Sequence, residues 1–206
     1  FKDTEHIESL SSFRKIYDEM FEDFEKSGNY KLDGKYFRKD TVKVINGLGN
    51  TIHIGINGEE AIEKNMENLI QFMNRKDIPF LVKASISHFF FEYIHPFYDG
   101  NGRTVRFITA YFLGKHLHPL ATVRLSVIFK KHQKRYYKLF EETDSELNRA
   151  EMTLFVEEFI RFIAESIDDT VRILERKKEQ VERYRQQIEE MNLEDALTKD
   201  LYYILL

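Results

Sequence analysis

The chain has no cysteine, which excludes a disulfide framework and thiolate chemistry and is compatible with a reducing compartment. Tryptophan is also missing. Only 3 prolines and 9 glycines occur in 206 residues, which argues against disorder and against a turn-rich β protein. A formal charge of -4 lays no basic footprint for nucleic acid along the chain. There is no signal peptide and no apolar run long enough to cross a bilayer, so a cytoplasmic location and no membrane partner are expected. The chain opens on Phe1 and closes on the uncapped apolar run LYYILL, and both ends read as cuts in a longer protein.

Apolar residues make up 42% of the chain, including 18 Phe and 11 Tyr, enough for one sizeable core with or without an appendage. After a mobile segment over 1–9, apolar residues at helical spacing from Leu10 to Phe24 predict a helix ended by Ser27, Gly28 and Asn29. Residues 30–40 read as loop. The β-branched runs TVKVING and LGNTIHIGING, bounded by Gly and Asn, predict a hairpin within 41–57. Further helices are predicted over Glu59–Met73, from Pro79 with Asp77 near its N-cap to Ile94, from Asn101 to Lys115, from Ser126 to Glu142, and from Arg149 to Met191. The acidic EETDSE at 141–146 and the stretch His116–Pro119 read as loops. The helix ending at Ile94 is apolar on most sides, as in the middle of a bundle.

In the last helix Ile160, Ile163, Ile167, Leu174, Val181, Tyr184, Ile188 and Met191 keep a seven-residue spacing among charged residues. This reads either as a protruding helix or short coiled coil, which leaves a homodimer open, or as a solvated helix resting on its own domain. The fold class is therefore all-α with a short hairpin. A core over 10–170 is followed by a helical extension over 171–206, in which Asn192 begins a last helical piece leading towards a missing domain.

Between two apolar helical runs lies HPFYDGNGRTVR, His95 to Arg106. Pro96 disfavours helical geometry at His95 and breaks the helix there. A loop opening into a helix N-terminus is a ready anion site, because unpaired N–H groups and the helix dipole both face it. His95 is suited to take a proton near neutral pH. Asp99 offers a hard oxygen for Mg²⁺, or alternatively a helix cap. Gly100, Asn101 and Gly102 let the backbone approach a phosphate, and Asn101 can also cap or donate. Arg103 and Arg106, at i and i+3, share a helix face suited to bidentate phosphate contacts. Phe97 is the apolar anchor of the loop. The spacing half-matches a calcium loop, but Arg103 occupies a ligand place and no Glu follows at the right distance. Base, metal ligand, anion nest and two cations together specify phosphoryl or nucleotidyl transfer.

This stretch resembles the Fic signature HPFx(D/E)GNGRxxR at every defined position, and the upstream hairpin and the helical pattern over about 10–170 resemble a Fic core. The resemblance implies a protein adenylyltransferase that moves AMP from ATP to a Ser, Thr or Tyr hydroxyl of a target protein. It implies His95 as base, Asp99 as Mg²⁺ ligand, Gly100, Asn101 and Gly102 as anion hole, Arg103 on the nucleotide phosphates, and Arg106 on the γ-phosphate or an inhibitory glutamate. It makes Thr51, Ile52, His53 and Ile54 a flap that pairs with the target backbone as an added strand. Tyr136 and Tyr137 fall where the family often has an adenine-pocket aromatic, although a Tyr-rich helix equally suits core packing. Doc-type kinases resemble this chain but carry Lys where it has Gly102, which favours nucleotidyl transfer here. An inhibited or silent Fic core in a regulatory or DNA-associated protein and a phosphotransferase of the Doc type are the alternatives. The inhibitory pattern (S/T)xxxE(G/N) is approached by Thr4 to Glu8, with Ser9 replacing Gly or Asn, and in spacing alone by Thr153 to Glu157. An inhibitory helix in the same chain or on another protein stays open.

Overall fold

A computed structural model of the chain describes residues 7–25, 32–45 and 49–191. The elements are α1 (Leu10–Glu25), β1 (Lys43–Ile45), β2 (Thr51–Ile54), α2 (Glu59–Met73), α3 (Phe80–Ile94), α4 (Asn101–Leu113), α5 (Pro119–Lys131), α6 (Gln133–Asp144), a 3-10 turn (Glu146–Asn148) and α7 (Thr153–Glu190). Among the described residues the fold is all-α with a short antiparallel hairpin, as expected.

The centre is α3, which packs on α2, α4 and α7. With apolar residues on most sides, it serves two cores at once. Phe91 and Ile94 join Phe13, Tyr17 and Phe21 of α1 and Ile62 and Met66 of α2. Ala84 and Phe89 join Leu125, Ile128 and Phe129 of α5 and Phe155, Phe159 and Phe162 of α7. The hairpin is short: Lys43 pairs with Ile54 and Val44 with His53, and the register breaks before Ile45 meets Thr51.

Several predicted boundaries move. The helix expected from Ser126 to Glu142 is two helices, split at His132, whose φ of -105° and ψ of 30° leave the helical region. The first begins seven residues early, with Pro119 as its first residue and the His118 ring accepting from Leu120 N–H. Pro119 belongs to the helix because its missing N–H has no partner there in any case. Residues 141–144 of EETDSE are the end of α6 rather than loop. Asp77 does not cap α3; it pairs with Arg75, and Pro79 stands at the N-cap without a side-chain bond. The last helix begins at Thr153 because Arg149 and Ala150 take positive φ of 53° and 60°. α4 stops at Leu113, with Gly114 as its C-cap.

From Val171 onward α7 is largely solvated, with Val171, Leu174, Tyr184 and Met191 exposed and Ile188 buried. The predicted helix stop at Ser27–Asn29 and the piece begun by Asn192 lie outside the described residues.

Candidate active site

α3 ends at His95, whose φ of 52° and ψ of 60° place it in the left-handed region. Pro96 was expected to push this residue out of the helix. The chain satisfies that with a reversal, a conformation that costs a non-glycine residue about 1–2 kcal/mol and persists only where the surroundings enforce it.

Those surroundings are visible. Arg38, fully buried, donates from Nε to the His95 carbonyl at 2.8 Å and from Nη2 to the Ile56 carbonyl at 2.7 Å and the Ile94 carbonyl at 3.4 Å. It also donates to the Asp40 carbonyl. One cation thus satisfies the unpaired carbonyls at the end of α3 and ties them to both flanks of the hairpin. Ile56 N–H donates to the Ile94 carbonyl at 3.1 Å. Gly55 permits this approach: a Cβ there would lie 2.5 Å from Arg38 Nη2 and 2.8 Å from His95 Cβ.

The loop beyond is equally fixed. Phe97 is fully buried and stacks on Tyr17 at 3.8 Å between centroids. Asn101 accepts from Phe97 N–H at 2.9 Å and donates to its carbonyl at 2.8 Å. Its side chain is therefore a brace, and what it offers an anion is its backbone N–H. Tyr17 donates to the Asp99 carbonyl at 3.1 Å. Gly100, at φ 80°, lies against Phe21, which a Cβ would meet at 2.6 Å. The first helical bond of α4 runs from Thr104 N–H to the Gly100 carbonyl at 2.9 Å. The N–H groups of Asn101 and Gly102 precede it and have no carbonyl within the helix to receive them.

A pocket of about 230 Å³ lies under the flap. It is lined by Ile52 and His53 of β2, by Glu92, Tyr93 and His95 of α3, by Gly102 and Arg106 of α4, and by Tyr136, Tyr137 and Phe140 of α6. Of the predicted residues, Gly100 and Asn101 are buried behind this wall. The side chains of Asp99 and Arg103 are exposed beside it, 4.0 Å apart, with the Arg103 guanidinium 4.5 Å over the Phe21 ring. Asp99 Oδ1 accepts from Gly100 N–H at 2.5 Å. Among the described residues no three metal-ligating side chains converge. A single accessible carboxylate fits a magnesium ion that takes most of its ligands from phosphate and water.

Thr51 and Ile54 are exposed on the flap. His53 is not: it meets Asp144 at 2.9 Å through Nδ1 and the Tyr93 carbonyl at 2.7 Å through Nε2. It clips the flap to α3 and α6. Tyr136 presents its ring to the pocket while its hydroxyl is held in the core by His88 Nε2 at 2.6 Å; His88 Nδ1 in turn meets Thr109 Oγ1 at 2.7 Å. Burial pushes His88 down to about 3, so it is a neutral structural ring. Tyr137 is half exposed. Of the two approximate inhibitory patterns, Thr4 lies outside the described residues, and Glu157 is exposed on α7 and does not line the pocket.

His95 Nδ1 faces the Glu92 carbonyl at 3.2 Å. A carbonyl only accepts, so Nδ1 carries the hydrogen and Nε2 keeps its lone pair, with no hydrogen-bond partner among the described residues. Burial pushes His95 down to about 4, against the opposing pull of the Glu92 carbonyl, so the ring is neutral at ordinary pH and its Nε2 is in the proton-accepting form. Two residues of this site were not anticipated. Arg38 lay in a stretch read as loop. Glu92, pushed up to about 7 by burial against the opposing pull of Arg106, is the single charge in the apolar run from Phe89 to Ile94, and that isolation was the available signal.

Three comparisons bear on this geometry. Residues 8–113 match the model of the Fic/DOC family. The chain is 30% identical over 115 residues to a protein adenylyltransferase Fic of Nematostella vectensis, covering 54% of this chain and 24% of that protein. It superposes with a TM-score of 0.67 and 22% identity on the crystal structure of a Fic family protein from Desulfovibrio desulfuricans G20, over 82% of this chain and 49% of that one. The chain thus spans about a quarter of the first relative and half of the second.

Proposed function

This chain belongs to the Fic/DOC family, and on that footing we propose that it is a protein adenylyltransferase, using Mg²⁺-ATP to place AMP on a Ser, Thr or Tyr hydroxyl of a target protein. The observation that carries this reading is His95. Its Nδ1 is held by the Glu92 carbonyl, its Nε2 is left to the pocket, and Gly102 and Arg106 line the same pocket. A base and an anion nest are then within one small cavity, which is what transfer to a hydroxyl needs.

In the transfer, the target hydroxyl oxygen bonds to the α-phosphorus, and the bond from that phosphorus to the oxygen bridging the β-phosphate breaks. Pyrophosphate leaves with the electron pair, and the hydroxyl proton passes to His95 Nε2. The N–H groups at the start of α4 and the Arg106 guanidinium hold the phosphates. Arg103 approaches them from the exposed side, where Asp99 would hold Mg²⁺. A bound magnesium ion would supply charge neutralisation on the polyphosphate. Gly102 suits a large polyphosphate, since even a Cβ there would sit 3.1 Å from Arg106 Nη1. The target backbone adds to the flap beside the exposed Thr51 and Ile54. Tyr137 and the ring of Tyr136 are the adenine-facing aromatics.

ATP labelled at the α- or the γ-phosphate tests the reaction type. With a mixture of candidate proteins and Mg²⁺, α-label should appear on protein and γ-label should not. Transfer of γ-label would replace this reading with a kinase.

A further inference from the structure

The Glu92 side chain lies in the pocket with no part in the transfer described above. It stands on α3 one turn before His95, with Oε2 3.6 Å from His95 Nδ1. Its Oε1 lies 3.4 Å from where a Cβ on Gly102 would be. The carboxylate thus reaches from the base to the start of α4, with only a sixth of its side chain, 17%, exposed. Among the described residues no other carboxylate comes within ion-pair distance of His95.

The groups around the pair come from every neighbouring element. Arg38, before β1, and His53, on β2, both disfavour a positive charge on His95, and Asp99 in the loop favours one. Arg106 of α4 faces Glu92 and favours its ionised form, while Tyr136 of α6 lies beside them both. A ring that must become an imidazolium during transfer is therefore buried, with Arg38 and His53 set against that charge. A carboxylate on the Nδ1 side offsets this, as an opposite charge within about 4–6 Å does in general.

We propose that Glu92 is a positioning residue for His95: its ionised carboxylate steadies the Nδ1–H edge of the ring and stabilises the imidazolium formed when Nε2 takes the target's proton. This rests on the adenylyltransferase reading. No proton passes to Glu92; the hydroxyl proton stays on Nε2 and the carboxylate keeps its charge. Burial pushes Glu92 up to about 7 in the free protein. Its ionised form, and the rate it supports, is then present above that range and lost as pH falls through it.

Glu92→Gln keeps the shape and removes the charge. By NMR of the histidine ring carbons in the nucleotide-free protein, the neutral His95 ring should register the ionisation of Glu92 as a chemical-shift step, which Glu92→Gln removes. The step should be smaller in Glu92→Asp, which keeps a charge at greater distance. In steady-state AMP transfer, Glu92→Gln should lower kcat by about 10- to 100-fold, within the range general-base effects span. It should leave KM for ATP unchanged and remove the rising limb of the kcat–pH profile. A His95 ring that does not register the ionisation of Glu92, or a loss confined to KM, would overturn the proposal. If the natural sequence transfers no AMP at all, the adenylyltransferase reading fails, while the NMR step still decides whether Glu92 acts on His95.

Discussion

The turn from His95 to Arg106 and the flap from Lys43 to Ile54 line one pocket but are built on opposite terms. The turn is over-determined. Phe97 is stacked, Asn101 clamps its N–H and carbonyl, Tyr17 holds Asp99, and Arg38 holds His95. The flap has three residue pairs, an irregular register, exposed Ile45 and Ile54, and the His53 clip to Asp144 and Tyr93. A two-stranded hairpin is marginal on its own, so the flap depends on what it leans against. The difference suits the proposed division of labour. Chemistry needs atoms held to a fraction of an ångström, whereas docking of an incoming strand needs an edge that adjusts.

The comparison breaks most visibly at the base. His95→Ala should lower transfer by about a thousandfold or more, at the upper range of general-base effects, while nucleotide binding and the fold persist. Isothermal titration with ATP beside the activity assay checks both halves. Next in size, Asn101→Ala leaves Phe97 N–H and carbonyl buried without partners. It should cost about 2–4 kcal/mol in urea unfolding, since each orphaned buried group costs about 1–3 kcal/mol. A cost near zero would mean the turn is not held as described. Gly55→Ala drives a methyl into Arg38 and His95 and should cost about 1–3 kcal/mol, as overpacking does. It should cut kcat as well, because it displaces the base.

At the flap, His53→Gln should cost about 1 kcal/mol, the usual net scale of a hydrogen bond, and raise KM for a protein target with little change in kcat. Amide exchange should follow the same order, with Ile52 and Ile54 exchanging well before the buried amide of Phe97. Equal protection in both regions would remove the contrast.

Legibility in the sequence divides along a similar line. The helices over Glu59–Met73 and Phe80–Ile94, the hairpin and the break at His95 were readable because apolar period, Gly, Asn and Pro act locally. The split at His132 was not, for it carries neither Gly nor Pro; the paired Lys130 and Lys131 ending α5 were the faint sign, cations being favoured at a helix C-terminus. Residue roles fixed by distant partners were hidden. Arg38 serves a carbonyl 57 residues away, and His53 an aspartate 91 residues away. Tyr136 read as either pocket or core is in fact placed at both, ring to the cavity and hydroxyl to His88. The motif points Asn101 at an anion, whereas its side chain is spent on the loop that makes the nest.

The measurement that tests the central claim most directly is intact-protein mass spectrometry after incubation with ATP and Mg²⁺, beside His95→Ala. The predicted result is a mass gain of one adenylyl group on the chain itself or on an added target, absent with His95→Ala. A gain of one phosphate, or an adenylyl gain that survives the loss of His95, would contradict it.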